Sequence, residues 1–253
     1  AKALKYFQLA FGIAEREGLL ENLSDCIANI SLIYSDLGDY YKALEYLLRV
    51  LKIDRELKAD HKIVIDLNNI GNVYLNEGIR SNIDRYYLDA LESFVESLRL
   101  VQKMNDKKME SAIFNNIGEV FYAKKNFNTA LNNYDIALKK AIEIKYIELI
   151  SLLNNNIGNA NLGLGRYLRA IDSFNKAIDL ATRINSRKIL WEAYFGLGQC
   201  YERKGENLKA VQYYNKSIEV IDKVRSQIYL DTFKTGYVRN KAKVYESLIN
   251  LIW

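Results

Sequence analysis

The chain of 253 residues has no proline, one histidine, two cysteines and two methionines. A Cys–His nucleophile pair would have to join His61 to Cys26 or Cys200, and these lie on separate stretches of the chain. Clustered His and Cys ligands for a metal are missing, so no metal and no other cofactor is expected. The glycine pairs Gly163/Gly165 and Gly196/Gly198 follow no strand pattern, which removes a phosphate-cradling loop. Two distant cysteines do not make a disulfide framework, and they predict unpaired core thiols in a reducing, cytoplasmic setting. No apolar run approaches the roughly 18 residues that a membrane span needs. The net charge is +5, but like charges form no long block. Lys124-Lys125 and Lys139-Lys140 are the densest pairs, too little for the continuous basic stripe of a nucleic-acid surface. Catalysis, membrane insertion and direct nucleic-acid contact are therefore not expected.

What is present is a repeat. Asn68-Asn69-Ile70-Gly71-Asn72-Val73-Tyr74 recurs as Asn115-Asn116-Ile117-Gly118-Glu119-Val120-Phe121 and as Asn155-Asn156-Ile157-Gly158-Asn159-Ala160-Asn161. Looser copies are Ala28-Asn29-Ile30-Ser31-Leu32-Ile33-Tyr34 and Phe195-Gly196-Leu197-Gly198-Gln199-Cys200-Tyr201. A second register runs through Ala3, Ala43, Ala90, Ala130, Ala170 and Ala210. Both registers step by 40 residues, except for one step of 47. Two anchors kept in phase over the chain define a repeat array rather than a globular enzyme fold.

Each anchor sits on a helical stripe. Leu67, Ile70 and Tyr74 flank Gly71 at spacings of three and four, and Tyr134 and Ala137 follow Ala130 in the same way. Gly or Ala marks the point where two helices cross closely. Leu37-Gly38-Asp39, Leu164-Gly165-Arg166 and Lys204-Gly205-Glu206 separate the stripes, each with a glycine where a left-handed helix cap is expected. Each unit reads as helix A, tight turn, helix B. Tyr34, Tyr74, Tyr134, Tyr201 and Tyr214 occupy repeat positions, so hairpin packing accounts for most of the 19 tyrosines.

The unit resembles the tetratricopeptide repeat, TPR, through Ile157, Gly158, Leu162, Gly165, Tyr167, Ala170, Phe174 and Ala177. The resemblance implies an all-α, right-handed α-solenoid of helix hairpins that binds a protein or peptide ligand in a concave groove. The period departs from the TPR value of about 34 residues, and six extra residues add roughly 9 Å of helix per unit. The proline that often closes a TPR unit is missing. Residues 1–226 are assigned to the array: a partial first unit at 1–18, then five units, with an insertion near 79–85. Residues 227–253 are assigned to C-terminal capping or linker helices. The chain opens on Ala1–Phe7 as a helix B with no helix A before it, so it is expected to be part of a longer protein.

The candidate binding groove rests on the asparagines. Asn68, Asn69, Asn115, Asn116, Asn155 and Asn156 recur in step, with Asn72, Glu119, Asn159 and Gln199 one turn on. The 3.6-residue period puts them on the side of helix A opposite the Leu/Ile/Tyr stripe. A carboxamide both donates and accepts, so a ladder at fixed rise can clamp an extended peptide backbone. The alternative is that the amides bond neighbouring turns and shape the array. Phe195, Glu119, Glu192 and Glu202 would add side-chain selectivity. The insertion, roughly Ile79 to Arg85, is expected as a loop between helices A and B, because both flanking stripes keep phase.

After Ile221 the repeat stops. Arg225-Ser226-Gln227, Phe233 and Lys243-Val244-Tyr245-Glu246-Ser247-Leu248-Ile249 resemble the junction of bacterial proteins that join a TPR array to a CHAT domain, a caspase-like cysteine peptidase fold. That resemblance implies that this chain is the recognition or regulatory half, with any peptidase chemistry beyond Trp253. Some such proteins act in phage defence with the array docked on an RNA-guided effector. Other expectations are the input module of a bacterial sensor kinase and a peptide-pheromone receptor.

Overall fold

A computed structural model describes residues 2–227 and 241–252. The described residues form twelve helices and no strand. They divide into two compact units, Ala1–Ala123 and Lys124–Trp253. The first holds α1 (Lys2–Arg16), α2 (Leu20–Asp36), α3 (Tyr40–Glu56), α4 (Asp60–Ser81), α5 (Asp84–Met104) and α6 (Lys107–Ala123). The second holds α7 (Phe127–Glu143), α8 (Ile147–Gly163), α9 (Tyr167–Arg183), α10 (Arg187–Arg203), α11 (Asn207–Arg225) and α12 (Ala242–Ile252). Inside each unit every helix packs on its neighbours in sequence. The helix A positions also approach one another, α4 to α6 and α8 to α10. This is the all-α solenoid expected from the repeat.

The 40-residue period has a simple origin. Helices of 17 residues alternate with three-residue turns in the regular units. Each regular turn places one residue in the left-handed region. It is glycine at Gly18, Gly38, Gly165 and Gly205, but lysine or asparagine at Lys58, Asn105, Lys125, Lys145 and Asn185. The turn after α2 shows the bonding. Gly38 N–H donates to the Ser35 carbonyl, and Asp39 N–H reaches back to Tyr34. These two bonds satisfy carbonyls that the helix end would leave orphaned.

The small anchors act as the sequence implied. A Cβ built on Gly71 would lie 2.5 Å from the Phe94 ring, and one on Gly158 would lie 2.6 Å from Phe174. Gly198 meets Tyr214 at 2.4 Å in the same way. In these three hairpins helix A thus seats the aromatic of its own helix B against bare backbone. Ala170 and Ala177, both fully buried, flank Phe174 at one helical turn on either side.

The insertion differs from the expectation. It is not a loop between the hairpin's helices. It lengthens them: α4 has 22 residues and α5 has 21, and only Asn82 and Ile83 connect them. Asn82 is left-handed (φ 56°) and closes α4 through a bond from its N–H to the Gly78 carbonyl. The helices extend because the added turns still bury apolar surface. Tyr87 is buried against Gly78, and Tyr86 stacks on Tyr74.

At the other end, α12 packs on α11. Val244 is buried, and Tyr245 Oη donates to Asp222 Oδ1 at 3.1 Å. Phe233, on which part of the CHAT resemblance rests, and Trp253 lie outside the described residues.

Candidate functional site: the asparagine face of the A helices

The structure separates the asparagine row into two parts with different fates. The inner part is spent on contacts between A helices. In the first unit, Asn116 Nδ2 of α6 donates to Asn68 Oδ1 of α4 at 2.9 Å, and Asn115 Nδ2 donates to Asn116 Oδ1 at 3.2 Å. In the second unit, Asn155 Nδ2 of α8 donates to Glu192 Oε2 of α10 at 3.3 Å. Asn115, Asn155 and Asn156 are buried, and Asn155 is only 1% exposed. Helix A is enclosed by its own helix B, by the preceding hairpin and by the next helix A, so one of the two adjacent amides must turn inward. A uniformly open ladder is therefore not what the fold presents.

The outer part stays half-exposed. Asn69, Asn72, Asn159 and Gln199 are each partly open to solvent. None of these four carboxamides has a hydrogen-bond partner among the described residues. Glu119 occupies the same repeat position as Asn72 and Asn159, is also half-exposed and is already engaged by a neighbour.

The residues expected to add selectivity have other partners. Burial pushes the Glu192 carboxyl up, and Lys188 and Lys241 oppose the shift. Phe195 tilts against Tyr214 with ring centres 5.6 Å apart. Glu202 accepts a hydrogen bond from Tyr214 Oη. These three side chains thus support the last hairpin as well as bordering its surface.

The remaining candidates fall as follows. His61 is exposed in the first turn of α4. Cys200 is fully buried, and burial pushes its thiol up to about 12. Cys26 is half-buried rather than a core thiol, and both cysteines are free. Among the described residues no three His, Cys, Asp or Glu side chains are grouped to hold a metal ion. No described helix is long and apolar enough to cross a membrane. The tyrosines pair at the hairpin ends: Tyr34 with Tyr46, Tyr74 with Tyr86, and Tyr201 with Tyr213.

Sequence reasoning missed one buried polar feature. Asp54 of α3 and Asp66 of α4 are 1% and 3% exposed, and Ser24 Oγ donates to Asp54 Oδ2 at 2.9 Å. The signal was legible. Asp54 follows Leu47, Val50 and Leu51 at helical spacing, and Asp66 sits between Ile63 and Ile70, so both occupy core phases.

Comparison with known proteins agrees with this architecture. Two tetratricopeptide-repeat family models match the chain, one over residues 24–57 and one over 148–223. The chain carries tetratricopeptide repeats in these stretches. BtubC (BKLC) from P. vanneervenii is similar in structure, with TM-score 0.73, 16% identity, and 88% of this chain and 91% of that chain covered. A Rap protein complexed with Competence and Sporulation Factor matches with TM-score 0.63 and 14% identity, over 98% of this chain and 72% of that one. The Rap conjugation gene regulator of plasmid pLS20, in complex with the Phr* peptide, matches with TM-score 0.68 and 16% identity, over 83% and 56%. No protein of curated function matches the chain in sequence.

Proposed function

We propose that this chain is a non-enzymatic interaction module that receives an extended peptide, or an extended segment of a protein, along the face of its A helices. One observation carries the reading. Asn159 and Gln199 hold one repeat position on successive A helices of the second unit, are half-exposed, and hold unspent donors and acceptors; Asn72 holds the same position in the first unit. A backbone needs such pairing wherever it leaves water. Carboxamides at successive repeats can supply it without reading side chains. The inner amides, Asn68, Asn116 and Asn155, set the spacing of the A helices that display this outer row.

A peptide ligand is favoured over a folded surface by one of the similar structures, the plasmid pLS20 regulator, whose complex holds the Phr* peptide. A receptor for a short signalling peptide is therefore the finer reading we prefer. Recognition half of a TPR-CHAT peptidase, with an RNA-guided effector as partner in the cytoplasm, rests on the resemblance of Arg225–Gln227 and Lys243–Ile249 alone. The sensor-kinase reading has no observation in its favour here.

The test is selection of binders from a random peptide library on the whole chain, followed by affinity measurement. Selected peptides should bind the Asn159→Ala, Gln199→Ala double variant about tenfold more weakly or worse, equivalent to at least one lost hydrogen bond of about 1.4 kcal/mol. The melting temperature should not change. Equal affinity for the variant would reject the outer row as the clamp.

A further inference from the structure

The four most exposed large apolar side chains among the described residues are Leu208 (83%), Tyr41 (82%), Leu168 (75%) and Leu37 (70%). All four lie where helix A turns into helix B of the same hairpin. Leu37 is in such a turn, and Tyr41, Leu168 and Leu208 are each the second residue of a helix B. That position precedes the buried alanine of the repeat by two residues. At 3.6 residues per turn, two residues rotate the side chain by about 200°, so it points away from the core. Packing thus explains the alanine and gives no reason for the leucines. A single exposed leucine is ordinary. Its recurrence at one repeat position on neighbouring hairpins marks an edge of the fold.

In the second unit the same edge is basic. Residues 162–169 hold two arginines and no acid, and residues 202–209 hold one arginine, two lysines and two glutamates. Both glutamates are engaged. Glu202 accepts from Tyr214 Oη, and Glu206 pairs with Lys204 at 2.5 Å and with Lys209 at 2.7 Å. Arg166, Arg169 and Arg203 are exposed and have no ion-pair partner among the described residues. The turns adjoin one another. Arg166 donates to Asn128 Oδ1 at the start of α7, at 3.4 Å, and α9 packs on α10. The corresponding turn of the first unit differs. Asp36 and Asp39 flank Leu37, and Asp39 pairs with Lys42 at 3.1 Å, so the apolar tips there carry no surplus of cations.

We propose that this turn edge of the second unit docks on an anionic lipid surface, with Leu168 and Leu208 entering the interface and the cations meeting the headgroups. Leu168-Arg169 and Leu208-Lys209 set an apolar tip beside a cation on successive hairpins. A bilayer presents the matching layers, negative charge outside and hydrocarbon just beneath. The long basic side chains can stay at headgroup level while the leucines go deeper. An acidic protein would satisfy the cations equally well, but it would leave the leucines in water unless it offered a separate recess to each. A lipid interface takes isolated tips at any spacing. The contact is peripheral, since no described helix is long and apolar enough to cross a membrane.

The proposal does not depend on the asparagine face, because it uses other residues and another surface. The whole chain is mixed with vesicles of phosphatidylcholine, alone or with about one third phosphatidylserine, and binding is read by co-sedimentation. The phosphatidylserine vesicles should bind at least about tenfold more tightly, and added salt should weaken them. Leu168→Ser with Leu208→Ser should weaken that binding at least about tenfold. Arg169→Gln with Arg203→Gln should do the same, since each cation near an anionic surface contributes about fivefold. All four side chains are exposed, so the far-ultraviolet dichroism of both variants should be retained. Tyr41→Ser, at the same repeat position in the first unit, should leave binding unchanged. Polyglutamate, an acidic chain with no apolar layer, should bind at least about tenfold more weakly than the vesicles. Equal binding of polyglutamate would assign the edge to an acidic protein and overturn the proposal. So would equal binding of both vesicle types, undiminished binding without the leucines, a loss with Tyr41→Ser as large as with the leucine pair, or no vesicle binding at all.

Discussion

Asp66 of α4 and Asp54 of α3 are buried together between adjacent hairpins of the first unit, with Ser24 Oγ donating to Asp54 Oδ2 at 2.9 Å. Burial and the Asp54 charge push the Asp66 carboxyl up to about 8, against the opposing pull of Lys62. One Asp54 oxygen and one Asp66 oxygen have no hydrogen-bond partner of their own. Burial beside a second carboxyl therefore favours the protonated form of Asp66.

The sign of its pH dependence follows. The unfolded Asp66 releases its proton near 3.8 and the folded one near 8. Between those values the folded state binds more protons, so stability falls as pH rises. The contribution is complete below pH 3.8 and is lost as pH passes through about 8. Asp66→Asn keeps the side-chain shape, offers Asp54 a donor and removes the ionisation. It should flatten the urea-unfolding stability across that window and raise it at pH 9 by on the order of 3 kcal/mol. A variant whose stability tracks the wild type at every pH would show that the pair does not titrate there.

The glycines at the hairpin crossings divide by what a side chain would meet. At Gly158 a Cβ meets the fully buried Phe174 at 2.6 Å. Neither helix can retreat without opening the core. Gly158→Leu should cost about 3 kcal/mol or more. Gly12, inside α1, faces open space, so Gly12→Ala should instead stabilise by about 0.5–1 kcal/mol through helix propensity. Thermal unfolding of both variants checks the contrast. Equal effects would mean that the close approach at Gly158 is not a constraint.

Most of the fold was legible because a repeat displays its own rules several times. The Gly71 and Gly158 anchors, the Ala170 register and the glycine turns all appear where the spacing implied them. Two features were not legible. Phase alone could not say whether Ile79–Arg85 would be loop or helix, since added helical turns and an added loop both leave the flanking stripes in register. Tyr87 decided it by packing back on Gly78, a contact across the hairpin that the linear pattern does not display. The asparagines posed the same difficulty. Asn155 and Asn156 are neighbours on one helix, and the helical wheel does not say how closely the next helix A approaches. The contact to Glu192, which buries Asn155, depends on that spacing.

Three turns carry lysine where others carry glycine. Lys58 and Lys145 adopt φ of 54° and make the same paired bonds as the glycine turns: Lys58 N–H to Arg55, and Ala59 N–H to Asp54. A side chain in the left-handed region costs about 1 kcal/mol relative to glycine. Lys58→Gly and Lys145→Gly should each stabilise by about that amount, and the pair should add, since the sites lie far apart in sequence with no shared partner. Gly38→Ala, at φ 76°, should lose a similar amount. Chemical unfolding midpoints measure all three. Destabilisation by Lys58→Gly would mean that the lysine side chain contributes more than its backbone strain costs.

The divided asparagine row makes a prediction that separates architecture from binding. Asn155 is buried, and its amide is the donor that Glu192 of the next helix A receives. Removing it leaves a carboxyl whose burial is already unfavourable to its charge with one partner fewer. Asn155→Ala should therefore lower stability by about 1–2 kcal/mol. Asn159, one turn along the same helix, is half-exposed and unpaired. Asn159→Ala should leave stability within about 0.5 kcal/mol of the wild type. Urea unfolding of the two single variants decides the matter. If both lose stability alike, the whole row is structural and the peptide clamp loses its main support. If neither does, the bridge between the A helices is not what holds their spacing, and the inner amides become available to a ligand as well.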